Sequence, residues 1–147
     1  MKIERFSAGD LIPRVEQLLR EEFKEKGILF TWPSKCNIEL EADRNMLEQV
    51  LINLVKNSVE ALRFTSAPEL EISCYREGDT HVCLSVRDNG EGIPAVELEE
   101  VFVAFYTTRD EGSGIGLSLC RQIIRSHNGR THIESVPGEG TRVLITL

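Results

Sequence analysis

An α+β chain, with a mostly antiparallel sheet carrying its helices on one face, is predicted by three features of the sequence. Residues 69–87 alternate apolar and polar around Gly78-Asp79. Residues 131–147 do the same around Pro137-Gly-Glu-Gly140. Helical patterns stand before and between them in the chain, the strongest, ahead of the first, a stripe of Leu47, Val50, Leu51, Leu54, Ser58, Val59 and Leu62 at 3.6-residue spacing. Helices interleave with strands, but the hairpins rule out a purely parallel sheet. At 147 residues and 41% apolar, the chain suits one domain with a real core.

The elements follow in order. Lys2 to Phe6 alternates like a short edge strand. Ser7 to Asp10 offers capping residues to a helix marked by Leu11, Val15, Leu18, Leu19 and Phe23, closed by Gly27. Pro13 suits its first turn. Ile28–Trp32 and Ile38–Ala42 read as strands about a Pro-Ser turn. Asp43 begins the strongest helix. The hairpin Glu69–Arg76 and Thr80–Arg87 matches its apolar faces better with three loop residues than with two. A short helix over Val96–Val101 and a longer one over Ile115–His127 precede the closing hairpin, Thr131–Val136 with Thr141–Leu147.

The net charge of −7 argues against a nucleic-acid surface, since neutralising phosphates takes clustered Lys and Arg. No apolar run approaches the roughly 20 residues that span a bilayer, and no signal peptide is visible, so a soluble, cytoplasmic domain without membrane contact of its own is expected, one that could be cut from a membrane-anchored parent. Cys36, Cys74, Cys83 and Cys120 are scattered, with no C-x-x-C pair and no histidine at ligand spacing, which predicts buried, reduced thiols. If Ile72 and Cys74 share a face with Val82, Leu84 and Val86, Cys83 faces the other way.

Arg87 to Leu117 holds the chemistry. Two glycine clusters, Gly90/Gly92 and Gly112/Gly114/Gly116, flank a helix-like stretch and the patch Phe105-Tyr-Thr107-Thr108-Arg109. Asp88 ends a strand before Asn89-Gly90-Glu91-Gly92; its carboxylate can accept from an adenine amine while Gly92 lets a ring lie against backbone, although Asp-Asn-Gly is also ordinary turn chemistry. Gly112-Ser113-Gly114-Ile115-Gly116 opens a helix whose N–H groups and dipole favour phosphate. Leu117 occupies the last glycine position of a dinucleotide fingerprint, and a Gly-Lys-Ser/Thr ending is missing, so neither common nucleotide motif applies. Arg109 can bridge phosphate oxygens or simply be solvated; Phe102, Phe105 and Tyr106 read as a hinge or as core. Asn53 and Asn57 stack four apart on the strongest helix, and a carboxamide oxygen suits a magnesium ion already carrying phosphate. Alone, the pair is weak evidence and reads first as two exposed helical asparagines.

Taken in order, these pieces resemble the ATP-binding catalytic domain of sensor histidine kinases, the Bergerat-fold (GHKL) family shared with gyrase B, Hsp90 and MutL. The resemblance spans nearly the whole chain: Asn53 to Ala61 as the N box, Asp88 to Pro94 as G1, Val101 to Arg109 as the F box, Gly112 to Leu117 as G2, and Gly138 to Thr141 as G3. It implies a single domain over 1–147, a two-layer sandwich of mixed sheet backed by three helices, and an ATP lid at about 93–112. It implies that Asn57, aided by Asn53, holds Mg2+, and that Asp88 binds the adenine amine with Gly90, Gly92, Ile93 and Thr141 near the base. It further implies that Thr107, Thr108, Arg109 and the backbone from Gly112 through Ser113, Gly114, Ile115 and Gly116 to Leu117 attend the phosphates. Arg109 stands where many relatives carry lysine.

ATP-hydrolysing relatives, and anti-sigma serine kinases, commonly place a glutamate base where this chain has Asn53, which cannot accept a proton at neutral pH. Transfer to an external histidine is therefore expected over hydrolysis. His81, His127 and His132 lack the following acidic residue of the family's phospho-accepting helix and read as ordinary residues. The resemblance thus implies that the dimerisation and phosphoacceptor helices lie elsewhere in a longer kinase, which serves a response regulator receiver domain. The alternatives are a stand-alone serine-kinase regulator and a non-catalytic ATP sensor.

Overall fold

The computed structural model describes residues 1–32, 36–98, 100 and 116–147. The expected Pro-Ser turn at 33–34, the aromatic patch, and Thr107, Thr108, Arg109, Gly112, Ser113, Gly114 and Ile115 lie outside the described residues.

Strand β1 (Ile3–Ser7) leads through one 3-10 turn (Ala8–Leu11) into α1 (Ile12–Glu25), with Pro13 in its first turn. Next come β2 (Leu29–Thr31), β3 (Glu39–Asp43) and α2 (Arg44–Ala61). The hairpin β4 (Glu69–Glu77) and β5 (His81–Asp88) pairs Glu77 with His81, leaving the three loop residues that the apolar faces demand. Then follow α3 (Ala95–Leu98), α4 (Gly116–Ser126), β6 (Arg130–Val136) and β7 (Gly140–Thr146). The main sheet runs β2-β4-β5-β7-β6, with β2 and β4 parallel and every other pair antiparallel. Strands β1 and β3 form a separate two-stranded ribbon, an arrangement that alternation alone does not reveal. This is the expected α+β sandwich, one sheet face being covered by α1, α2 and α4. Among the described residues, no helix is long and apolar enough to cross a membrane.

The core lies between these layers. Leu70 and Ile72 of β4, Val82, Leu84 and Val86 of β5, and Val143 and Ile145 of β7 meet Leu47, Val50, Leu51 and Leu54 of α2 and Ile124 of α4. Inward parity assigns Cys74 to this face, opposite Leu84, and Cys83 to the other, opposite Tyr75. The reduced-thiol expectation fails for one pair. Cys36 and Cys74 are joined in a disulfide with Cα atoms 6.3 Å apart. The β2–β3 connection folds Cys36 into the core beside β4, across 38 residues of sequence that carry no spacing signal. Cys83 and Cys120 are free and buried, as expected.

Asp43 fixes the start of α2. Its carboxylate accepts from Met46 N–H at 3.1 Å and Lys2 N–H at 2.9 Å, two bonds that hold it below the usual carboxylate range. Its own N–H donates to His127 Nε2 at 3.0 Å, while His127 Nδ1 meets the Ile123 carbonyl at 2.8 Å. A carbonyl only accepts, so Nδ1 carries the proton. His127 therefore ties the end of α4 to the start of α2, a role its sequence context does not announce. A depressed folded-state pKa stabilises the fold fully above the unfolded value of about 3.9 and loses that contribution as pH falls through the folded value. The melting-temperature gap between the wild type and Asp43→Asn should accordingly shrink as pH drops from 6 to below 3. A gap unchanged across that range would show that the carboxylate's charge does not matter.

Candidate functional site

Alternation places three polar residues in one row at the end of three adjacent strands. In β5 the inward positions Val82, Leu84 and Val86 continue to Asp88; in β7, Ile145 and Val143 continue back to Thr141; in β6, Ile133 continues to Ser135. Asp88 pairs with Thr141, and Thr141 with Ser135, so the row runs across the sheet facing the helices. Behind it Val143 and Ile133 supply an apolar floor. Opposite stands α2, presenting Leu54, Ser58 and Ala61 on one stripe with Asn57 beside them. The cleft between them has a volume of about 360 Å³, in the range of small-molecule sites. Leu117 of α4, Ile93, Pro94, Glu97 and Pro137 complete its wall.

The turn after Asp88 is held from several sides. Gly90 N–H donates to Asp88 Oδ1 at 2.9 Å, and Glu91 N–H to the Ala61 carbonyl at 3.1 Å. Gly138 N–H returns to the Glu91 carbonyl at 2.8 Å. Ile93 N–H donates to Ser135 Oγ at 2.7 Å. Gly92 sits at φ +73°, where a Cβ would overlap the Val136 carbonyl, so both conformation and space demand glycine. Gly92→Ala should lower stability by at least roughly 1–2 kcal/mol, several degrees in melting temperature. An unchanged melting curve would show that the turn does not press on β6. Gly140, at φ +133°, lies equally tight against the Asp88 backbone and so brings Thr141 beside Asp88.

Asp88 is only 4% exposed, and its carboxylate nonetheless lines the cleft. Asn57 is half-buried on the facing helix, and a Cβ added at Gly116 would rest in ordinary contact with its carboxamide, 3.8 Å from Nδ2. Asn53, one turn earlier, is not among the described wall residues. Nearby on α4, burial pushes the Cys120 thiol up to about 12, with the Asn53 side chain acting in the opposite direction. The Cys120 thiol also lies 3.7 Å from the Val50 carbonyl. The structure therefore brings together Asp88, Gly90, Gly92, Ile93, Thr141, Asn57, Gly116 and Leu117, with Asn53 just behind. Among the described residues, no group of three His, Cys, Asp or Glu side chains could hold a metal.

Ser135 and Arg63 escape a motif reading. Arg63 follows the end of α2, pairs with Glu60 and with Glu91 at 3.9 Å, and rests over the Phe64 ring at 5.0 Å, so it forms the rim of the cleft. Ser135 has no neighbouring signature; only the strand register across from Thr141 reveals it.

Residues 42–147 match a family described as histidine kinase-, DNA gyrase B- and HSP90-like ATPases. Sporulation kinase A of Bacillus subtilis (strain 168) is 36% identical over 144 residues, which is 97% of this chain but 23% of that protein. The chain thus spans about a quarter of that relative's length. Among solved structures, the nucleotide-free catalytic domain of histidine kinase ThkA superposes with a TM-score of 0.88 at 32% identity, covering 100% of this chain and 95% of that one. ThkA in complex with the response regulator protein TrrA gives a TM-score of 0.83 at 31% identity, over 99% of this chain and 41% of that one.

Proposed function

This chain belongs to the histidine kinase-, DNA gyrase B- and HSP90-like ATPase family and is an ATP-binding domain; from that premise we propose that it is the catalytic domain of a sensor histidine kinase. It passes the γ-phosphoryl group of ATP to a histidine nitrogen on a separate helical domain, from which a response regulator receiver domain is served. The P–O bond to ADP breaks as the P–N bond forms. The work takes place on the cytoplasmic side, where ATP is found, and the domain spans 1–147 with its lid at about 93–112.

The observation that carries this reading is the buried Asp88 carboxylate, facing Asn57 across a cleft of nucleotide size. Asp88 accepts from the adenine amine, beside Thr141 and the backbone of Gly90, Gly92 and Ile93. Guanine offers a carbonyl at that point and is rejected. Asn57, with Asn53 behind it, faces the phosphates. One neutral carboxamide suits Mg2+, which keeps most of its shell as phosphate oxygens and water. When bound, the ion would neutralise charge on the phosphates. The amides of Gly114, Ile115 and Gly116, with Thr107, Thr108, Arg109, Gly112, Ser113 and Leu117 around them, would cradle the same groups. Catalysis then comes from positioning and charge complementarity. Asn53 is no base, which favours transfer over hydrolysis.

Mixing the domain with a separately produced helical domain bearing the acceptor histidine, in Mg-ATP, tests this. Acid-labile, base-stable phosphate on the helical domain is expected. Phosphoserine on a partner would favour a serine kinase instead, and no transfer at all a nucleotide sensor.

A further inference from the structure

Ser135 belongs to none of the motifs, yet three hydrogen bonds meet at its hydroxyl. Ile93 N–H lies 2.7 Å away, the Gly140 carbonyl 2.9 Å, and Thr141 Oγ1 2.8 Å. A hydroxyl has one proton and two lone pairs. The Ile93 amide can only donate, so it takes one lone pair. The Gly140 carbonyl can only accept, so it takes the proton. Only a lone pair is left for Thr141, whose hydroxyl must therefore be the donor in that contact.

We propose that Ser135 is a positioning and specificity-determining residue that fixes the polarity of the base end of the cleft. With its proton committed to Ser135, Thr141 turns only acceptor lone pairs toward the cleft wall it forms. Asp88 beside it is an acceptor as well, and the two are register partners. The base end thus presents acceptors alone, matched to the amine of adenine and to a water that donates, and mismatched to the carbonyl oxygen of guanine. The same hydroxyl anchors Ile93, so the turn carrying Gly92 and the strand carrying Thr141 are held in one register. Without Ser135, Thr141 is free to rotate and donate, and a carbonyl at that position becomes tolerable. This inference rests on the adenine assignment of the cleft.

The test is a comparison of ATP and GTP affinities by calorimetry for the wild type and three variants. In Ser135→Ala the preference for ATP over GTP should narrow by about tenfold, the size of one net hydrogen bond. Ser135→Thr, which keeps the hydroxyl, should retain most of the preference. A purely structural role would weaken both nucleotides equally and leave their ratio alone; that result, or an unchanged ratio, overturns the proposal. Should Ser135→Ala not fold, Thr141→Val removes the same acceptor and should narrow the ratio alike, with an unchanged ratio again decisive against it. A wild type that binds ATP no better than GTP removes the adenine assignment, and this inference with it.

Discussion

Asp88→Asn should weaken ATP binding about 10- to 100-fold while leaving the fold intact, because it replaces a charged acceptor with a neutral amide of the same shape. The geometry makes the change worse than the loss of charge. Gly90 N–H donates to Asp88 Oδ1, so an asparagine there keeps its oxygen on Gly90 and turns its NH2 toward the base. A donor then meets the adenine amine, itself a donor. Rotating the amide instead leaves Gly90 N–H facing NH2 in a nearly closed pocket. Either choice leaves a polar group unmatched. Calorimetry with ATP reads the effect directly, and unchanged affinity would remove Asp88 from the base contact.

Asn57→Ala should reduce phosphoryl transfer to the helical domain by at least about 100-fold, since even the outer partners of metal ligands carry 10- to 100-fold effects. Its shape consequences are small. Asn57 is half-buried at the cleft wall, and removing its carboxamide opens space against Gly116 rather than in the core. Melting temperature should therefore hardly move while the transfer rate collapses. Retained transfer would exclude Asn57 from the magnesium site.

The parts of the fold that were legible in the sequence are those where burial imposes a period. Alternation through Val82, Leu84 and Val86 fixed the inward face of β5, and the same parity carries Asp88 into the cleft. The need to match that face with Ile72 and Cys74 is what set the three-residue loop. Asp43 could be read as a helix start because a side chain that accepts from Met46 N–H answers a local need. What stayed hidden was set by distant partners. Cys36 and Cys74 carry no spacing motif, and only the path of the β2–β3 connection joins them. His127 looks ordinary until Asp43, 84 residues away, donates to it. Ser135 sits in an unremarkable strand, and its importance comes from facing Thr141 and Ile93 at once. Asn53 and Asn57 look alike by spacing, yet of the two only Asn57 lines the cleft as described.

A crystal structure of this domain with Mg2+ and a non-hydrolysable ATP analogue tests the convergence of these groups most directly. Expected are an adenine amine within hydrogen-bonding distance of the Asp88 carboxylate, Thr141 beside the base, and the metal-bound phosphates facing Asn57. An analogue seated away from the cleft between α2 and β5, or a base that leaves Asp88 untouched, would contradict it.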